Sequence, residues 1–146
     1  MAGEHDSLRE GTRLGVGVAS GIWLWIAILD IIAGQPLRTF TVLGGITGFT
    51  ILHYLLNVGY GILVVSAVHG ARREPSLVIA VALGFLVVEI GFAMLTVLLS
   101  HLGLGELAWA RILGGSLIGA VIALGMLARR HPLVEQLHKA EEQDQE

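Results

Sequence analysis

Two ionisable residues lie deep inside long apolar runs: His53 within Thr41 to Val68, and Glu89 within Leu77 to Leu99. A charged side chain at the centre of a bilayer costs at least about 2.5–3.5 kcal/mol on insertion scales. Such a group therefore faces the interior of a helix bundle and has a partner there. An imidazole and a carboxyl at one depth can hand a proton between them, contact a ligand, or clip two helices together. On a helix of about 3.6 residues per turn, Thr47, Thr50, His53, Tyr54, Asn57 and Tyr60 share one arc. Phe49, Leu52, Leu55, Leu56, Gly59 and Leu63 fall opposite. The first arc is expected to face protein and the second lipid. In the Leu77 to Leu99 run, Glu89 shares a face with Ala82, Phe85, Ala93, Thr96 and Ser100, while Leu83, Val87, Met94 and Leu98 point away. Consecutive antiparallel helices would bring His53 and Glu89 to similar depth. The expected intramembrane polar centre is His53, Glu89, Asn57, Tyr54 and Tyr60.

A second pair of opposite charges stands nearer a membrane surface. Asp30 closes the first apolar run and Arg111 opens the last, each about one turn inside the boundary. An Asp30–Arg111 ion pair would join the first and last helices. Arg38 competes for Asp30, and snorkelling to headgroups competes with both. Gly115, Gly119 and Ala123 form a small-x3-small series, which lets helix backbones approach closely. The series serves packing inside the chain or a seam between two copies. Trp109 is placed as an interfacial anchor, and Trp23 and Trp25 as deeper packing or lipid-facing groups.

These side chains must be positioned by helices that cross a membrane. Four runs, at about 14–34, 41–68, 77–99 and 107–127, each reach the roughly 20 residues that a crossing helix needs. The chain is 54% hydrophobic and 14% charged, against about 25% charged in an ordinary soluble domain. The expected fold is all-α: an integral membrane four-helix bundle of two antiparallel helical hairpins. It comprises an N-terminal tail 1–13, a four-span domain 14–128 and an acidic C-terminal tail 129–146. Gly34-Gln35-Pro36, Glu74-Pro75-Ser76 and His101 to Gly105 supply the breaks, since glycine and proline stop helices. Val42-Leu43-Gly44-Gly45 and Ile112-Leu113-Gly114-Gly115 hint at a duplicated hairpin. Arg9, Arg13, Arg72, Arg73, Arg129, Arg130 and Lys139 fall on one side of such a bundle, and only Arg38 and Arg111 on the other. Lys/Arg-rich short loops stay cytoplasmic, so both termini are expected there.

Several chemistries have no residues to carry them. Without cysteine there is no disulfide, thiolate metal site or cysteine nucleophile. No HExxH, P-loop, dinucleotide fingerprint or GxSxG elbow occurs. His101 stands about 18 Å along the axis from Glu89, so His53 and His101 make a poor axial pair for haem. No cofactor or metal is expected, and the basic residues form no nucleic-acid footprint. The N-terminus mixes Glu4, Asp6, Arg9, Glu10 and Arg13 before an apolar run too long for a signal peptide, so the first span is expected to be an uncleaved anchor. Ala2 removes the myristoylation signal.

Leu29-Asp30-Ile31-Ile32-Ala33-Gly34-Gln35-Pro36-Leu37, His53, Glu89 and Arg130-His131-Pro132 together resemble a group of uncharacterised bacterial four-span membrane proteins. The resemblance implies a bacterial inner-membrane location and assigns no activity. The Asp-x3-Gly-x-Pro stretch is also similar to small ATP-synthase accessory membrane proteins, which have two spans rather than four. The function expected is a small non-catalytic structural or accessory subunit of a membrane assembly, with the bilayer and a homo-oligomer or larger complex as partners. The alternative is a proton-coupled transporter or channel element centred on His53 and Glu89. A weaker alternative is a membrane enzyme or redox subunit.

Overall fold

The computed structural model describes residues 2–70, 84, 87, 94, 98, 101 and 108–130. Among these the chain is all-helical. Helix α1 spans Ala2–Ile32, α2 Arg38–Val42, α3 Ile46–Gly70 and α4 Ala108–Arg130. Three stretches, Ser7–Ile32, Ile46–Gly70 and Ala108–Arg129, are long and apolar enough to cross a membrane.

Among the described residues, helix α1 is the central element. It packs along α3 on one side and along α4 on another. Ser7 meets His69 and Trp23 meets Thr50, so α3 runs antiparallel to α1. Asp30 meets Arg111, and Leu14 clusters with Leu127, so α4 is antiparallel to α1 as well. Helices α3 and α4 therefore run in the same direction. The two ends of the bundle are named here for Asp30 and His69.

Of the five glycines within α1, Gly11, Gly15, Gly17 and Gly21 lie away from its start and would weaken a helix in water by about 1 kcal/mol each. In hydrocarbon the backbone has no water to turn to, so the helix persists and the glycines admit neighbours. A Cβ on Gly11 would strike the Ile62 backbone, and one on Gly15 the Asn57 carbonyl. One on Gly61 would strike the Gly11 carbonyl. On the other face, a Cβ at Gly17 would stand 3.1 Å from Met126 Sδ, and one at Gly21 would strike Ile122.

The chain reverses at the Asp30 end through two glycine stops. Gly34 takes φ +69°, its N–H bonds Ile31 O at 3.0 Å, and Gln35 N–H bonds Asp30 O at 2.9 Å. This is a Schellman closure of α1. Gly44 and Gly45 take φ +106° and +87° and separate α2 from α3. The expected helix over 41–68 is thus two helices, because consecutive residues at positive φ cannot continue a right-handed helix. The segment expected as an N-terminal tail is helical from Ala2. Residues 2–13 continue α1, and Ser7 and Glu10 hold this extension against His69.

Buried apolar groups cluster at both ends, and Ala108 forms a further small cluster with Leu43 and Ile112 at the start of α4. Leu14, Val64, Val65 and Leu127 fill the His69 end, and Ile26, Ala27 and Phe40 the Asp30 end. The α3 face divides differently from expectation at three positions. Phe49, expected toward lipid, packs edge-on against Phe40 with ring centroids 5.1 Å apart. Thr47 and Tyr60, expected toward protein, are exposed. Thr47 falls in the first turn of α3, after the glycine break. Gly61 takes the inward position beside Tyr60 because only the smallest residue fits against Gly11 and Gly15. Leu52, Leu55, Leu56 and Leu63 are exposed as a continuous apolar face. Gly84, Val87, Met94 and Leu98 are helical and exposed, while Leu83 and Glu89 lie outside the described residues.

Candidate functional site

The Asp30 end contains a closed polar centre. The Asp30 carboxylate is fully buried, and Arg111 and Thr39 are each 2% exposed. Arg111 Nε donates to Asp30 Oδ1 at 2.8 Å. Thr39 Oγ1 donates to the same oxygen at 2.7 Å, and Thr39 N–H donates to Oδ2 at 2.7 Å. Helix α2 begins after Leu37, which sits in left-handed backbone at φ 61° and has no side-chain group to cap with. Asp30 supplies the missing acceptor from another helix. It thus does for α2 what an N-cap aspartate does within its own helix. Arg38, the competing cation, bonds Gln35 Oε1 at 2.9 Å at the surface. Three charge-assisted bonds converge on one carboxylate, which offsets the several kcal/mol that each desolvated ion costs.

The middle of the bundle carries a polar ladder between α1 and α3. Trp23 Nε1 donates to Thr50 Oγ1 at 3.1 Å, and the hydroxyls of Ser20 and Tyr54 bond at 2.8 Å. His53 Nε2 lies 3.1 Å from Ala19 O. A carbonyl can only accept, so Nε2 carries the proton and Nδ1 is the acceptor. The Asn57 amide approaches Nδ1 at a long 3.4 Å and donates to the His53 carbonyl at 2.8 Å. Phe49 stacks on the imidazole with centroids 5.1 Å apart. His53, Asn57 and Tyr54 are therefore neighbours, while Tyr60 is 37% exposed. Glu89, the expected partner of His53, lies outside the described residues.

At the His69 end, Ser7 Oγ and His69 Nδ1 are 2.9 Å apart, and Glu10 Oε2 is 3.8 Å from His69 Nε2. A cavity of about 10 Å³, room for about one water, is lined by Glu10, Arg13, Leu14, Val65, Met126 and Leu127. Among the described residues no three His, Asp and Glu side chains converge as metal ligands would. Every buried side-chain N or O atom among them has a hydrogen-bond partner.

The small residues of α4 face α1. A Cβ on Gly119 would come within 2.9 Å of Ile22 and 3.1 Å of Val18, and one on Gly115 within 3.2 Å of Ile22. Ala123 borders the cluster of Leu14 and Leu127. Trp109 is 60% exposed at the start of α4, and Trp25 Nε1 donates to Ala110 O at 3.0 Å. Sequence reasoning passed over Thr39, Ser20 and the glycines of α1. Gly11-x3-Gly15-x3-Ala19 repeats the spacing noticed in α4, so that signal was present. The role of Thr39 had no such signal, because it depends on a turn that folds α2 back over Asp30.

The chain matches no protein-family model, no curated protein and no solved structure.

Proposed function

We propose that the chain is a four-span bacterial inner-membrane protein with both termini cytoplasmic, acting as a non-catalytic structural or accessory subunit of a membrane assembly. The observation that carries the functional part is polar satisfaction. Asp30, Thr39, Arg111, Trp23, Thr50, Ser20 and Tyr54 spend their hydrogen bonds on one another, joining helices. The cavity at the His69 end has room for about one water. Groups committed in this way hold a bundle together and offer a substrate little to bind.

The fourth span is supported by direction. Helix α3 ends at the His69 end, and α4, parallel to it, begins at the Asp30 end. The connection between them therefore starts at one end of the bundle and finishes at the other. At about 1.5 Å per residue, a helix over 77–99 is about 35 Å long, enough to cross hydrocarbon. On such a helix the position of Glu89 is opposite that of the exposed Gly84, Val87, Met94 and Leu98. The cytoplasmic placement of the His69 end rests on its concentration of arginine.

One observation favours the proton-coupled alternative. The bond to His53 Nδ1 is long, so this nitrogen can take a stronger donor, such as a protonated Glu89. The two functions separate experimentally. Mild solubilisation of native membranes should release the accessory subunit in a stoichiometric complex larger than its own oligomer. Recovery only as a free chain or homo-oligomer, with cross-linking before solubilisation giving the same result, contradicts the accessory role.

A further inference from the structure

We infer that α2 is a hinged strap over the polar ladder, and that its opening admits water toward His53 from the Asp30 end. Among the described residues, α2 stands between that end and the first rung, Trp23–Thr50. Phe40 is fully buried against Ile26 and Ala27, about one turn nearer Asp30 than Trp23. Its ring centroid lies 4.8 Å from that of Trp23 and 5.1 Å from that of Phe49, and Phe49 in turn stacks on His53. Withdrawing Phe40 uncovers Trp23, Thr50 and Phe49, with the imidazole one ring further in. The segment is jointed on both sides. Gly34 before it, and Gly44 and Gly45 after it, take positive φ, and a Cβ on any of them would meet nothing within 4 Å. These glycines therefore serve backbone conformation and not packing. Leu37 takes φ 61°, a costly conformation for a residue with a Cβ, and such residues persist only while their surroundings hold them. The hold is narrow. Among the described residues, Thr39 carries both polar bonds from α2 to α1, and Phe40 supplies the buried ring, while Arg38, Thr41 and Val42 are exposed. Leu43 packs on Ala108 beside the Gly44-Gly45 joint. Opening thus exchanges two bonds and one buried ring for relief at Leu37.

The inference rests on the membrane-spanning reading and is independent of the accessory role. Its test exploits the absence of cysteine, because one introduced thiol is then the only one in the chain. Thr50→Cys, in the full chain reconstituted into proteoliposomes, is treated from outside with a charged methanethiosulfonate that does not cross lipid. The reactive form is the thiolate, which forms in water and not in apolar surroundings. Gln35→Cys, at the surface, sets the fast limit. Leu55→Cys, on the exposed apolar face of α3, sets the silent one. With the strap open in about 1% of molecules, Thr50→Cys should react about a hundredfold more slowly than Gln35→Cys. Adding Thr39→Val should speed that reaction about tenfold, from the usual contribution of a hydrogen bond to a charged group. Adding Thr12→Val, at the far end, should leave it unchanged. Helical circular dichroism checks the folding of every variant, and Ser20→Cys, one rung further in, repeats the measurement if Thr50→Cys does not fold. Reaction no faster than that of Leu55→Cys makes α2 a fixed cap and overturns the inference. A rate indifferent to Thr39→Val in a folded chain also overturns it, since water then reaches the ladder by another route. Rapid reaction of Leu55→Cys itself would place the apolar face in water and contradict the membrane-spanning reading instead.

Discussion

Asp30 is where single atoms matter most, because its carboxylate serves two elements at once. Arg111→Leu leaves a buried carboxylate that, among the described residues, keeps only the hydrogen bonds from Thr39 and no cation. Removing one partner of a buried ion pair costs about 3–5 kcal/mol, so this variant should unfold far earlier in a detergent denaturation series. Asp30→Leu combined with Arg111→Leu should cost less than the two singles added together, since neither charge is then stranded. Strict additivity would mean that the pair contributes nothing as a pair. His53 is a milder case. His53→Gln can still donate to Ala19 O, whereas His53→Ala cannot, and intramembrane polar bonds average about 0.6 kcal/mol. If Glu89 is the partner of His53, the cycle of His53→Ala with Glu89→Gln should also be non-additive, and additive losses would separate the two residues. The ionisable residues themselves were legible in the sequence, because charge inside an apolar run is conspicuous and depth can be counted along a helix. The bond from His53 to Ala19 was not legible, because a backbone carbonyl offers no side-chain signal.

At the scale of the helix, close packing follows glycine position and can be tested by placing the same side chain at contrasting glycines. Gly61→Ala puts a methyl group into the backbone of α1, while Gly59→Ala meets open space. The first should separate α1 from α3 and lower stability by about 1–3 kcal/mol, the usual range for overpacking. The second should leave stability unchanged or raise it, because alanine is the better helix former. Equal thermal stability of the two variants would remove glycine packing from the account. Gly115→Leu and Gly119→Leu should resemble the first, since both face Ile22 of α1. Helix existence was plain from apolar run length. Helix boundaries were not, because the break at Gly44-Gly45 lies inside an apolar run and the N-terminal extension depends on contacts with His69 far along the chain. The inward turn of Phe49 likewise follows from Phe40, which only the folded loop brings near.

For the whole molecule, the proposed fourth span would account for the shared direction of α3 and α4. A reporter active only outside the cytoplasm should be silent when fused after Glu146 and active when inserted at Gln35. Activity at both sites would contradict the four-span arrangement. The apolar lengths made an all-helical chain with membrane-crossing helices legible before any contact was known, whereas the packing of α1 against both α3 and α4 emerged only from contacts. What most separates a scaffold from a transport element is whether protons cross the bundle. Purified chain in proteoliposomes carrying a pH gradient should collapse that gradient no faster than empty liposomes, and Glu89→Gln and His53→Gln should make no difference. A faster collapse in wild type that either substitution abolishes would contradict the structural role and establish the proton-coupled one.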